Sequence, residues 1–335
     1  MQALSQLSYT PTANPKLYVG PMSLANRGRR RRVWMRYHPR ARVRPLRALI
    51  PAAVSQRGPR LAHHSTMPLP QPAAPAAVDL GGRVILVTGA SGGLGMPLAL
   101  AFAAHGATVV LHGRNVGRLE AIYDAIAAAG GAQPSILPLD LAVAATEDFG
   151  HVAGALRAQQ GRLDGLVHTA AFLGPLGPVE HQTFDAWQTA LRVNVSAAMA
   201  LTRALLPLLV QSSDGAIVLT EDTRGVAPHA YWGGYAASKA ALGAFATMLA
   251  DELEHRSALR VNTVVPGPIR SPLRNRTHPG EDKSALAPPE ALVPLYLYLV
   301  AGQPKAESGA RIDAQAWLAG QPASTPLVAA DALRP

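Results

Sequence analysis

Cysteine is absent from this 335-residue chain, so no disulfide closes it and no thiolate acts as a nucleophile or metal ligand. That absence fits a reducing compartment, and a cytoplasmic location is expected. The 11 histidines are scattered without metal-ligand spacing, and His63-His64 lies in the N-terminal leader, so no metal is expected. No uninterrupted apolar run reaches the roughly 18 residues a spanning helix needs. The most tempting stretch, AMALTRALLPLLV, is interrupted by Arg203 and Pro207, so no membrane partner is expected. Gly-x-Ser-x-Gly is also missing, which removes the usual α/β-hydrolase signature.

Acidic residues are lacking from one region only. Residues 1–66 hold one Lys, twelve Arg and no Asp or Glu, while the remaining 18 basic residues face all 21 acids. The formal charge of +10 therefore belongs to the leader, the body is about −3, and a nucleic-acid partner is not expected for the folded part. Dense Arg and Pro between residues 21 and 60 oppose a packed core, and residues 1–78 are expected to be a disordered leader and linker. Three readings compete for this leader: an organellar transit peptide, a nucleic-acid-binding arm, and upstream sequence translated from a misplaced start. The third is preferred, because Met67 is followed by a short Pro/Ala linker and then directly by the first strand.

From residue 79 to 335 a single domain is expected, with 48% hydrophobic content overall to supply its core. Short β-branched runs at 83–89, 107–113, 134–140, 163–170, 215–220 and 259–267, with a weaker one near 309–315, alternate with Ala/Leu-rich helical segments. One long helix is expected near 182–209 and another over 235–254. Continuous apolar strands joined by helices predict an α/β fold, a doubly wound parallel sheet of the Rossmann type.

The first strand runs into TGASGGLG at 88–95, which opens a helix. A helix N-terminus presents unpaired N–H groups to an anion, and glycines let the backbone approach a pyrophosphate. Thr88, Gly89, Ser91, Gly93, Leu94 and Gly95 are accordingly the candidate phosphate turn, although their spacing is not G-x-G-x-x-G. After the second strand comes LHGRN, with Arg114 and no acid until Glu120. A basic residue there accepts a 2′-phosphate, so NADP(H) is expected rather than NAD(H).

T-G-x-x-x-G-x-G, followed about 140 residues later by Y-A-A-S-K at 235–239, resembles the short-chain dehydrogenase/reductase family over residues 80 to about 316. The resemblance implies an oxidoreductase moving a hydride between a nicotinamide and a carbonyl or secondary alcohol, and a homodimer or homotetramer. It also implies that Asp140 and Leu141 flank the adenine, that Asn194 holds a water in a proton relay, and that Pro266, Gly267, Ile269 and Ser271 close over the nicotinamide. Two positions depart from the family. His168-Thr169-Ala170-Ala171 replaces the usual N-N-A-G, leaving Thr169 and Ala170 under the cofactor with only a threonine hydroxyl to offer. Asp222 stands 13 residues before Tyr235, where the family has its serine.

Tyr235 and Lys239, four apart on a helix, share one face, and a cation there stabilises the phenolate that proton exchange near neutrality requires. An ionised Asp222 only accepts hydrogen bonds and opposes that phenolate. Thr223 carries a donor hydroxyl that a one-residue change of register would bring in, while Lys239 or Arg224 would blunt the charge on Asp222. Asp222 and Thr223 also read as simple caps of a turn. The candidate catalytic set is Tyr235, Lys239, Asn194, Asp222 and Thr223, and the alternative function is a dinucleotide-binding protein with weak or no catalysis. Residues 268–287 read as a substrate loop made basic by Arg270, Arg274 and Arg276, and Tyr231 and Trp232 as pocket aromatics. Ala236, Ala240, Gly243 and Ala244 form a small-residue stripe suited to close packing, on a helix that the resemblance implies lies in a subunit interface.

Overall fold

The computed structural model of the protein describes residues 17–18, 78–254, 258–301, 308–321 and 323–327. Apart from a two-residue strand, β1 (Leu17–Tyr18), the expectations for residues 1–77 fall outside the described residues. Seven parallel strands form the body: β2 (Val84–Thr88), β3 (Thr108–Gly113), β4 (Ser135–Pro138), β5 (Gly165–His168), β6 (Ala216–Thr220), β7 (Arg260–Val265) and β8 (Ala310–Asp313). A short β9 (Ser324–Pro326) runs antiparallel beside β8, and β1 pairs with β4, giving the order β1-β4-β3-β2-β5-β6-β7-β8-β9.

Both faces of the sheet are apolar, as expected of strands buried on both sides. Along β2 the side chains of Ile85 and Val87 enter one core cluster, and those of Val84 and Leu86 enter the other. The first cluster is covered by α1 (Gly95–Ala104), α2 (Val116–Ala128) and α9 (Val293–Ala301), which bring Phe102, Ile122 and Tyr296. The second is covered by α3 (Thr146–Gln160), α5 (Ala197–Leu209) and α7 (Gly233–Leu253), with Leu156, Leu205 and Leu242. This is the doubly wound α/β class that the alternation predicts.

Three elements differ from expectation. The segment near 182–209 is not one helix: α4 (Phe184–Leu191) passes through a π-turn at Arg192–Ser196 before α5 begins. Within that wider turn Asn194 is buried, bonded to Phe172 and Ser238, so the irregularity serves a tertiary bond that no local pattern announces. The weak strand near 309–315 ends at Asp313, whose carboxylate accepts the N–H groups of Gln315 and Ala316 and starts α10 (Ala314–Leu318). Residues 268–287 are not wholly loop: Ser271 caps α8 (Pro272–Thr277), and Ile269 and Ala287 bridge.

Candidate active site

The chain lays down β2, β3 and β4 in one direction, then crosses back to place β5 on the other side of β2. Ligands of open α/β sheets bind at such a reversal, beyond the carboxyl ends of the strands. A cleft of about 570 Å³ opens there. Gly89, at φ +67°, ends β2, and a Cβ on it would collide with the Ala170 backbone. Thr88 Oγ1 accepts the N–H groups of Thr169 and Ala170, each at 3.2 Å. Thr169 Oγ1 in turn donates to the Thr88 carbonyl at 2.5 Å, so the hydroxyl expected to be on offer to a ligand is used inside the protein. Here α1 begins, with Gly95 pressed against the Gly89 carbonyl; Met96 N–H bonds the Gly92 carbonyl at 3.1 Å, Leu98 N–H bonds the Leu94 carbonyl at 3.3 Å, and Pro97 has no N–H to satisfy.

At one end of the cleft Arg114 and Arg118 line the wall beside Gly113 and Ser91, with Asp140 and Leu141 nearby. Arg118 was legible only as the residue four beyond Arg114: Asn115 caps α2, and the winding of its first turn brings the second arginine to the same rim. His112 below them is buried, with Nδ1 accepting from Gly89 N–H at 3.3 Å; desolvation lowers its pKa to about 4. His168 on β5 bonds Thr202 at 2.9 Å, and burial, with the charges of His112 and Lys239, lowers it to about 3. Both imidazoles are neutral structural groups at physiological pH.

Tyr235 and Lys239 occupy the first two turns of α7, and both are buried. Lys239 Nζ donates to the Thr220 carbonyl at 2.7 Å and sits 5.9 Å from the Tyr235 ring centroid. Asp222 ends the strand-to-helix turn after β6, and its two oxygens have different partners. Oδ1 accepts from Arg224 N–H at 2.8 Å, capping the short α6 (Thr223–Val226), while Oδ2 accepts the Tyr235 hydroxyl at 2.9 Å. One carboxylate thus both caps α6 and accepts the Tyr235 hydroxyl. No change of register occurs, and Thr223 is exposed at the start of α6 rather than bonded to the tyrosine.

Burial raises the Tyr235 pKa well above its ordinary value, and the charge of Asp222 and its hydrogen bond push in the same direction. Burial lowers that of Lys239, opposed by Asp222 and Glu221. Glu221 itself is buried and paired with Arg311 at 3.2 Å. The expected pairing of Arg224 with Asp222 takes the form of a backbone N–H bond, because the guanidinium lies over Trp232, 4.9 Å from its ring centroid.

Asn194 stands behind the cleft wall. Its Oδ1 accepts Phe172 N–H at 2.7 Å, and its Nδ2 donates to the Phe172 carbonyl at 3.0 Å and Ser238 Oγ at 2.8 Å. The amide thereby clamps the turn after β5 to the helix carrying Tyr235. Thr88 and Gly95 likewise sit behind the wall, whereas Gly89, Ser91, Gly93, Leu94, Ala170, Pro266, Gly267, Ile269 and Ser271 line it. The 268–287 segment, which we call the lid, is less basic than its sequence reads: Arg274 is paired with Glu281 at 2.5 Å, holding that carboxyl down to about 2, and Arg270 is exposed outside the lining. Trp232 joins lid to site, with His278 at 6.1 Å and Tyr235 at 5.9 Å between ring centroids. Tyr231 is exposed and does not line the cleft.

The family described as short chain dehydrogenase matches residues 83–282. The oxidoreductase YciK of Escherichia coli K12 is 41% identical over 236 residues, which is 70% of this chain and 93% of that protein. A short chain dehydrogenase of Shigella flexneri 2a, solved with NADP, superposes with a TM-score of 0.68 at 40% identity, covering 70% of this chain and 98% of that one. One from Escherichia coli CFT073, solved with NADPH, does so at 0.68 and 41%, with the same two coverages. This chain belongs to the short-chain dehydrogenase family. It is an oxidoreductase of that type.

The two buried histidines make stability depend on pH with a defined sign. Their folded pKa values lie below the ordinary 6.5, so their contribution is complete above pH 6.5 and is lost as pH falls toward 4. For His112 the loss is roughly 3 kcal/mol across that window. Urea midpoints measured from pH 7 to pH 4.5 are expected to fall, and His168→Asn is expected to flatten that slope by about one proton.

Proposed function

We propose that the protein is an NADP(H)-dependent dehydrogenase or reductase of a small secondary alcohol or carbonyl compound, with Tyr235 exchanging the proton at the substrate oxygen. The observation that carries this is the buried Tyr235 and Lys239 pair opening onto the same cleft as the glycine turn of α1. The residues present fit a nicotinamide dinucleotide. Gly93 faces Pro272 and Ser271 with no room for a side chain, the α1 N-terminus suits a pyrophosphate, and Arg114 with Arg118 supplies positive charge where a 2′-phosphate distinguishes NADP(H).

When bound, that cofactor supplies or accepts the hydride. Tyr235 holds the exchangeable proton at its hydroxyl, and Lys239 keeps a positive charge beneath it. Asn194 fixes Ser238, and through it the first turn of α7, against the turn after β5. Trp232 and the lid residues around Pro272 narrow the mouth where the substrate enters.

A second reading, a dinucleotide-binding protein with weak or no turnover, is favoured by one observation: the Tyr235 proton points to Asp222 rather than into open cleft. It predicts that Asp222→Ser raises reductase activity at least about tenfold. We also propose a homodimer or homotetramer through α7. Ala236 and Gly243 of the expected stripe face inward, Gly243 against Glu221 and Arg311, but Ala240, Ala244 and Met248 remain exposed in one row.

Three measurements follow. Tyr235→Phe is expected to lower kcat with NADPH or NADP by roughly a hundredfold or more across a panel of carbonyls and alcohols, and wild-type turnover in the variant would overturn the assignment. Replacing Arg114 and Arg118 by Ser should raise the Kd for NADPH about tenfold or more while leaving NADH binding within a factor of two, as read by fluorescence titration. Sedimentation equilibrium should give a dimer or tetramer mass, and Met248→Glu should shift it toward monomer.

A further inference from the structure

We propose that Asp222 is the proton acceptor for Tyr235, making the site one that removes a proton from a substrate hydroxyl, so that alcohol oxidation is its favoured direction at neutral pH. The proposal rests on the reading of this cleft as a hydride-transfer site.

The geometry is that of a relay. Asp222 Oδ2 lies 2.9 Å from the Tyr235 hydroxyl, with the tyrosine as donor, and Oδ1 is anchored by Arg224 N–H, so the carboxylate cannot swing away without uncapping α6. Capping needs only one oxygen, and the second one has the tyrosine as its partner. The site also has its charge balanced without a phenolate. Lys239 is buried, with its ammonium on the Thr220 carbonyl, and faces two acids; Glu221 is matched by Arg311, which leaves Asp222 to balance the lysine. A phenolate at Tyr235 would put two anions in direct contact. The tyrosine therefore rests neutral, and a neutral phenol takes a substrate proton only by releasing its own.

The step balances as follows. The substrate O–H bond breaks and its proton goes to Tyr235 Oη, while the Tyr235 O–H bond breaks and that proton goes to Asp222 Oδ2. The hydride on the carbinol carbon leaves to a bound oxidised nicotinamide dinucleotide, and the electron pair of the substrate O–H bond forms the carbonyl. Tyrosine and carboxylate acidities ordinarily differ by about a millionfold, so tyrosine ionisation ahead of hydride departure is unfavourable and the two protons move with it. Asp222 is partly exposed and returns its proton to solvent.

The groups that face Asp222 set the direction of the pH dependence. Tyr235 and Lys239 face it from α7 and Arg224 from α6, Arg274 of the lid acts on it electrostatically, and its chain neighbour Glu221 is turned to Arg311. Oxidation uses Asp222 as the final proton acceptor, and reduction runs the same two proton transfers in reverse.

The test combines a measurement without ligands and one with turnover. Ionisation of Tyr235 in the dinucleotide-free protein is read at 295 nm as wild type minus Tyr235→Phe. Both Asp222→Ser and the nearly isosteric Asp222→Asn are expected to lower the ionisation midpoint by about one pH unit or more. With NADP and a panel of secondary alcohols, wild-type oxidation should be flat from about pH 6 to 9. Asp222→Ser should lose at least tenfold at pH 7, regain activity on the alkaline side, and turn a curved dependence on the fraction of D2O, with two protons in flight, into a linear one. An unchanged ultraviolet midpoint, or Asp222→Ser matching or exceeding wild type at pH 7 while Tyr235→Phe is inactive, overturns the relay and leaves the hydride-transfer reading standing. Tyr235→Phe with full activity overturns that reading instead.

Discussion

The backbone of Ala170 lies so close to Gly89 that no side chain fits between them, and this contact joins the two halves of the sheet where strand order reverses. Thr88 and Thr169 lock it with three hydrogen bonds. With the turns after β2 and β5 held together there, α1 and α5 diverge to opposite faces and leave a crevice above. The arginines after β3, Asp222 after β6 and the lid after β7 then hang over that crevice from strand ends, with Tyr235 and Lys239 reaching it from α7.

A polar ladder behind the crevice sets the helix that carries Tyr235 and Lys239. Asn194 projects inward from its π-turn, takes both backbone groups of Phe172, and holds Ser238, whose hydroxyl donates to the Tyr235 carbonyl. Lys239, one turn further along α7, reaches Thr220 at the end of β6. A buried amide with every donor and acceptor filled specifies position more sharply than apolar contact does, because any shift leaves a polar group unpaired. Tyr235 is thereby held against Asp222 by restraints on both sides.

Buried charge is the unusual feature of this site. Glu221 and Asp222, adjacent in sequence, point to different partners: one to Arg311 on β8, the other to Tyr235. Glu221 and Lys239 are buried and Asp222 partly so, and the buried Glu221 is tolerated because Arg311 pairs with it. The departure from the family's serine is therefore built into the surrounding structure, which supplies the capping N–H and the nearby lysine.

Periodicity and turn chemistry by themselves determined the parallel sheet, the glycine turn at its first βα junction, and the pairing of Tyr235 with Lys239, because each depends on residues close together in the chain. The resemblance to the family put Asp222 at the position of the family's serine, 13 residues before Tyr235. What they left open was decided by contacts between residues far apart. The π-turn at Asn194 exists for Phe172 and Ser238, and the Thr169 hydroxyl is taken by Thr88 across 81 positions. Whether Asp222 caps a helix or meets the tyrosine was likewise undecidable from the chain alone, since a carboxylate has two oxygens and only the tertiary structure gives each its partner.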